Sequence, residues 1–288
     1  MSARPYTLSE PRARVSSVVI ASSHSGRDYP EEFLRRIDLD ARAVRSSEDA
    51  FVDLLVADAP AIGAPLLAAT VPRAYVDLNR APEELDPALI EGVPRAAHNP
   101  RVASGLGVLP RVVAGGRAIS SRRISRREAE ARLAEVWHPY HGCLATLLGE
   151  AQRRFGEAIL IDMHSMPHEA IVAATRAGER PADVVLGDRF GTSADAEVIE
   201  RIEAAFAAAG LKVARNAPFA GAYTVQHYGR PAGNQHAVQV EIDRALYMNE
   251  ALIRPNRRFQ EIRRLIAGVL AEIIEIGQAG EALPMAAE

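Results

Sequence analysis

The sequence predicts an α/β fold with a mixed, mostly parallel sheet covered on both faces, and three short apolar runs carry that prediction. Ser17 to Ser22 (SVVIAS), Ala158 to Met163 (AILIDM) and Ala237 to Ile242 (AVQVEI) have the length and continuous apolar character of buried strands. Segments of helical period lie between them, and strands alternating with helices of this length build a sheet with helices on both sides.

The first run ends in Ser23-His24-Ser25-Gly26, a polar loop at a strand end, and the second delivers His164-Ser165. In the third, alternation puts Gln239 and Glu241 on one face and Val238, Val240 and Ile242 on the other. Ser125 and Glu128 form a capping-box pattern ahead of Leu133, Val136, Tyr140, Leu144 and Leu147 at helical spacing, with a kink expected at Pro139 and a stop at Gly156. Thr192-Ser193 is expected to cap a helix carrying Val198, Ile202 and Phe206 on one face and ended by Gly210. Phe259, Ile262, Ile266, Val269 and Ile273 mark a last long helix. One domain over residues 1–288 is expected, with 1–14 flexible and 278–288 a tail.

With 48% hydrophobic and 25% charged residues the chain has a globular balance. Its 34 Lys plus Arg against 37 Asp plus Glu leave a net charge of −3, which gives no electrostatic footprint for nucleic acid or an anionic membrane and favours a small-molecule partner. The arginine clusters Arg122 to Arg127 and Arg257 to Arg264 read as solvated faces. A single cysteine, Cys143, excludes an internal disulfide and a multi-cysteine zinc site. No apolar run approaches the roughly 20 residues of a membrane span, and residues 1–14 lack the apolar core of a signal peptide, so a cytoplasmic protein is expected, with a homo-oligomer left open.

His24 and His164 stand where open α/β sheets place their sites, and two imidazoles plus a carboxylate suit a catalytic divalent metal. Glu48 and Asp49 are the carboxylate candidates, with Asp53 on the face of Asp49 if the segment is helical, while Asp162 is placed to support His164. Asn79-Arg80, read at the end of a short strand, offers an amide and a guanidinium fork to a substrate carboxylate; the alternative is a buried Asp77–Arg80 ion pair. Glu241 is an acid between apolar neighbours, suited to moving a proton. Either His227 or His236 is a candidate oxyanion donor or substrate-orienting group, with loop histidines as the alternative for both. His138 and His141, three apart on a helix, suggest substrate support rather than a second metal site. Ser104 to Gly116 lacks the third glycine of a phosphate-binding turn and reads as a plain loop, at most a mobile active-site loop.

Taken together, His24 with its neighbours (SHSG), Asp49 to Asp53 (DAFVD), Tyr75 to Arg80 (YVDLNR), Trp137 to His141 (WHPYH), Asp162 to Ser165 (DMHS), His227 to Glu241 and Tyr247 to Glu250 (YMNE) resemble, in order, the motifs of the N-formylglutamate amidohydrolase family over roughly residues 15 to 255. The resemblance implies a three-layer phosphorylase/hydrolase-like fold related to zinc carboxypeptidases and aspartoacylase, and hydrolysis of an N-acyl amino acid, N-formylglutamate to glutamate and formate above all. It implies one divalent metal, zinc on ligand type, held by His24, Asp49 and His164, with Glu241 as general base and His227 helping the oxyanion. Asn79, Arg80 and His141 are then the substrate-binding residues. Hydrolysis of a different N-acyl amino acid or small peptide, or a non-catalytic carboxylate- or metal-binding role, are the alternatives. Arginines common in that family are replaced here by Met166-Pro167-His168 and by Gln226, so the pocket is expected to hold fewer cations.

Overall fold

The structure, a computed structural model, describes residues 4–94 and 99–278. Strands β1 (Tyr6–Ser9), β2 (Val18–Ser22), β3 (Leu66–Ala69), β4 (Ala158–Met166), β5 (Val184–Gly187), β6 (Val213–Arg215) and β7 (Gln235–Asp243) form one sheet in the order β1-β3-β2-β4-β7-β5-β6. Strands β3, β2, β4 and β7 run parallel, while β1 and the β5–β6 pair run against them. The sheet is therefore mixed and mostly parallel. Its central strands are the continuous apolar runs, because helices cover both of their faces.

Two expectations about strand limits are corrected. All nine residues of β4 are buried, so His164 and Ser165 lie inside the strand instead of following it. Within residues 1–14, expected to be flexible, Tyr6–Ser9 pairs antiparallel with Leu66–Ala69 as an edge strand. Its four residues alternate between half-buried and exposed, which leaves no apolar run to read. Of the expected tail, only Gln278 lies within the described residues.

Helices of six residues or more are α1 (Arg126–Arg132), α2 (His138–Phe155), α3 (His168–Ala174), α4 (Ala196–Ala208), α5 (Tyr223–Tyr228) and α6 (Phe259–Ile276). Ser125 Oγ accepts from the Glu128 amide at 3.2 Å and starts α1 as expected. A π-helical segment, Leu133–Trp137, joins α1 to α2 immediately before Pro139, whose missing N–H disrupts regular α geometry there. Gly156, at φ 74°, ends α2. The cap position of α4 is Asp195, not Thr192-Ser193; the Ser193 hydroxyl donates instead to Ala237 O at 2.8 Å.

Helices α4 and α6 cover one face, where Ile202, Phe206, Ile266 and Ile273 pack on Ile20, Ile161 and Val240. Helices α2 and α5 cover the other, where Tyr140, Leu144, Leu148 and Val225 meet Val19, Ala21, Leu160 and Ala237. These are three layers. Along the α2/α5 face β4 reads Ala158, Leu160, Asp162, His164 and β7 reads Ala237, Gln239, Glu241. Register sets Asp162 beside Gln239 and His164 beside Glu241. The polar ends of both strands thus share one face, while the opposite face stays apolar through Met163, Val240 and Ile242.

Candidate active site

The site forms at the C-terminal ends of β2, β4 and β7, where the parallel strands leave their loops. His24 follows β2 in a turn tied by Ser22 Oγ to Ser25 Oγ at 2.9 Å, and its carbonyl accepts from the Asp49 amide at 3.0 Å. Gly26 then passes so close to the 70–71 backbone that a Cβ would lie 2.2 Å from Val71 O. Gly26→Ala is accordingly expected to displace the His24 turn and cost about 1–3 kcal/mol by overpacking, measured as a lower melting temperature.

His24, Asp49 and His164 are all buried, and one ligand atom from each lies within 4.8 Å of the others. His164 Nδ1 is 2.8 Å and His24 Nδ1 3.5 Å from Asp49 Oδ2. The opposite ring nitrogens meet other carboxylates: His24 Nε2 lies 2.7 Å from Asp77 Oδ1, and His164 Nε2 lies 2.9 Å from Asp162 Oδ2. The His24 imidazole is oriented from behind by its hydrogen bond to Asp77, as metal-ligating histidines commonly are, and Asp162 lies behind that of His164. His24 Nδ1 has no hydrogen-bond partner despite its burial, which fits a cation between the three groups.

The electrostatics fit the same use. Burial opposes ionisation of Asp49, but the hydrogen bond from His164 and the adjacent His24 imidazole hold it well below the usual carboxylate range. Burial likewise opposes Asp77, and the Arg73 guanidinium and His24 hold it low. His164 is raised well above the usual imidazole value: burial opposes this, and Asp162 and Asp49 prevail.

Of the two carboxylate candidates, the structure brings Asp49 to the histidines. Glu48 turns away, accepting from Tyr29 Oη at 2.7 Å and pairing with Arg45 at 3.0 Å. Asp53 does not share a helical face with Asp49, because the single-turn helix Val52–Leu55 begins after Phe51 at φ 70°; Asp53 pairs with Arg27.

Glu241 lines the same cleft, a hollow of about 690 Å³. Its Oε1 accepts from Gln239 Nε2 at 2.8 Å, and Asn79 Nδ2 donates to Gln239 Oε1 at 3.2 Å. Asn79 Oδ1 accepts from the Thr224 amide at 2.8 Å. The expected open amide is therefore engaged in an internal network, although Asn79 still lines the cleft. The segment carrying it is a turn, not a strand. Arg80 is different. Asp77 is occupied by His24 and Arg73, so the alternative Asp77–Arg80 ion pair is absent among the described residues. Arg80 Nε donates to Leu106 O at 3.0 Å and Nη1 to Asn79 O at 3.3 Å, which leaves Nη2 of the buried guanidinium for the cleft.

Two expected residues lie elsewhere. His141 is not on the cleft: its ring stacks on Trp137 at 4.0 Å and bonds Leu78 O at 2.8 Å and Tyr228 Oη at 3.0 Å. These contacts brace the backbone before Asn79, and burial pulls its pKa to about 4. His227 is exposed on α5, stacked on Tyr223, and borders a neighbouring hollow rather than the histidine–aspartate cluster. The oxyanion role expected of it has no geometric support. His236 sits at the start of β7, 3.5 Å from Glu157, away from the site, and His138 is exposed.

The residues that sequence reasoning missed are mainly cations. Arg73 and Arg244 line the cleft and neutralise Asp77 and Asp49 at 2.8 and 2.9 Å. Arg80, Arg101 and Arg189 line it too, so the cleft carries cations although Met166-Pro167-His168 and Gln226 supply none. The available signal was Asp77 itself, since a buried carboxylate demands a partner and Arg73 stands four residues away. The glycine-rich stretch forms one wall through Ser104, Leu106 and Val112 to Gly116, with Val112–Val113 paired to Arg117–Ala118.

The family model for N-formylglutamate amidohydrolase matches residues 16–248. The chain belongs to that family. It is 31% identical to the N-formylglutamate deformylase of Pseudomonas aeruginosa over 93% of this chain and 94% of the relative. The crystal structure of N-formylglutamate amidohydrolase from Ralstonia eutropha JMP134 superposes with a TM-score of 0.89 at 33% identity, covering 96% of this chain and 99% of that one. Gene product Atu2144 of Agrobacterium tumefaciens, at 17% identity and a TM-score of 0.66 over 96% and 95%, shares the fold.

Proposed function

We propose that the protein hydrolyses the amide of N-formylglutamate to formate and glutamate, using one divalent metal held by His24, Asp49 and His164. The observation that carries this reading is the buried His24–Asp49–His164 cluster beside Glu241 in one cleft. Family membership and two curated deformylase relatives support the substrate. The donor set of two imidazoles and a carboxylate favours zinc.

When bound, the metal supplies Lewis acidity toward the amide oxygen and acidifies water. Arg80 binds the α-carboxylate through its free guanidinium edge. Glu241, steadied by Gln239, takes a proton from the attacking water and returns it to the leaving amine, so that the C–N bond breaks as formate and the free amino acid form. Arg73, paired with Asp77 on the cleft wall, contributes what positive charge remains to it toward the oxygen on which negative charge develops.

Burial pushes Glu241 up to about 7, with His164 opposing. A base must be unprotonated, so kcat/KM should fall as pH drops below about 7, the bound cation moving this limb somewhat lower; a pH–rate profile reads it. The test of the function is a panel of N-formyl, N-acetyl and N-succinyl amino acids, acidic and neutral, assayed with metal-depleted and zinc-restored protein. N-formylglutamate should be the preferred substrate and zinc should restore turnover. No amide hydrolysis across the panel would defeat the proposal.

A further inference from the structure

Arg101 and Arg189 have no part in the chemistry above, yet both border the catalytic cleft and also a second hollow of about 650 Å³ beside it. Arg80 borders both as well. Arg73 and Arg244 are neutralised by Asp77 and Asp49, whereas Arg80, Arg101 and Arg189 form no ion pair with a carboxylate among the described residues.

The backbone aims Arg189 at an energetic cost. Arg189, Phe190 and Gly191 have φ of 53°, 58° and 82°, a left-handed run that bulky side chains rarely adopt. The Arg189 amide donates to Ala220 O at 2.8 Å, and Asn216 Oδ1 accepts from the Asp188 and Phe190 amides at 3.2 and 3.3 Å. Phe190 is 77% exposed, so the turn is not formed to bury it. What the turn does achieve is to lay the Arg189 stem on Gly221, in the wall shared by both hollows, with Nη1 donating to Gly221 O at 3.4 Å.

Arg101 is held on the other part of that border. Its one-turn helix, Pro100–Ala103, is capped by Asn99 Oδ1, which accepts from the Arg101 amide at 3.0 Å, and Asn99 Nδ2 donates to Glu84 at 3.2 Å. Burial lowers the Arg80 guanidinium; Asp77 opposes this and Arg101 adds repulsion, so the cations are close enough to sense one another. Asp77 and Glu84 favour the charged Arg80 without pairing with it, and three arginines with no ion-paired carboxylate among the described residues can accept an anion from outside.

We propose that Arg189 and Arg101 bind the side-chain carboxylate of a dicarboxylic substrate while Arg80 takes its α-carboxylate, and so set selectivity for acidic over neutral N-acyl amino acids. This rests on the amide-hydrolase reading. A neutral side chain leaves the cations repelling one another; a carboxylate neutralises them and accepts their paired N–H donors.

The test compares kcat/KM for N-formylglutamate and N-formylglutamine, which differ little except in charge, on the zinc-loaded full chain. The wild type should prefer the acid by about 100-fold or more. Arg189→Gln and Arg101→Gln should each reduce that ratio by about tenfold or more, and Arg189→Lys should recover part of it by keeping the charge. An equal loss on both substrates, with the ratio kept, overturns the proposal. A measurement on the wild type alone guards against a variant that does not fold. Glutarate should bind at least about tenfold more tightly than butyrate by calorimetry, and equal affinity overturns the proposal. If no N-formyl amino acid is turned over, the hydrolase reading fails by itself, and the glutarate–butyrate comparison still decides the role of the arginines.

Discussion

Glu241→Gln should lower kcat by about 10²–10⁴-fold while leaving metal content and substrate affinity nearly unchanged. The substitution keeps the shape of a buried side chain and an oxygen to accept from Gln239 Nε2, now at 2.8 Å. What it removes is the proton acceptor. Burial already pushes this carboxyl up to about 7, so a neutral amide suits its surroundings and the melting temperature should hold or rise slightly. Steady-state kinetics, metal analysis and a melting curve on one preparation separate the outcomes. A kcat within a few-fold of wild type would remove Glu241 from the mechanism.

The second large effect is expected at Asp49. Asp49→Asn should cost the proposed metal site its carboxylate ligand and lower kcat/KM by about 10³-fold or more, since metal-ion stabilisation of the reacting charge is worth several kcal/mol. Asp49 also balances Arg244, 2.9 Å away, and both histidines in a dry setting. Removing its charge leaves Arg244 buried without its nearest counter-ion, a change that costs about 3–5 kcal/mol in comparable buried pairs. Lower zinc content together with a lower melting temperature is therefore expected. Full zinc occupancy in a folded Asp49→Asn protein would show that the carboxylate ligand lies elsewhere.

How much was legible in the sequence depended on the range of the interaction. His24, His164 and Glu241 were readable because each sits at the end of a continuous apolar run, and alternation along AVQVEI put Glu241 and Gln239 on one face. Edge strand β1 was not readable, since four residues alternating between half-buried and exposed are too few to stand out from flanking loop sequence. The place of His141 off the cleft was not readable, because its partners are Leu78 O and Tyr228 Oη, 63 and 87 residues away. Asn79 and Arg80 looked like equal halves of one clamp. Backbone contacts with Thr224 and Leu106 made one a brace and left the other open.

By itself, the sequence determined the layered α/β plan, the strands that end in polar groups and the pairing of two histidines with a nearby acid. Those follow from local periodicity and from the alternation of side chains along a strand, which every residue carries in its own identity. Only the tertiary structure decided that Asp49 rather than Glu48 faces the histidines, that His141 and His227 stand off the cleft, and that arginines from three separate segments, 73 and 80, 101, and 189, meet on its walls. Charges interact across space at distances the chain order does not encode, and which of them remain unpaired is known only once every carboxylate has found its partner.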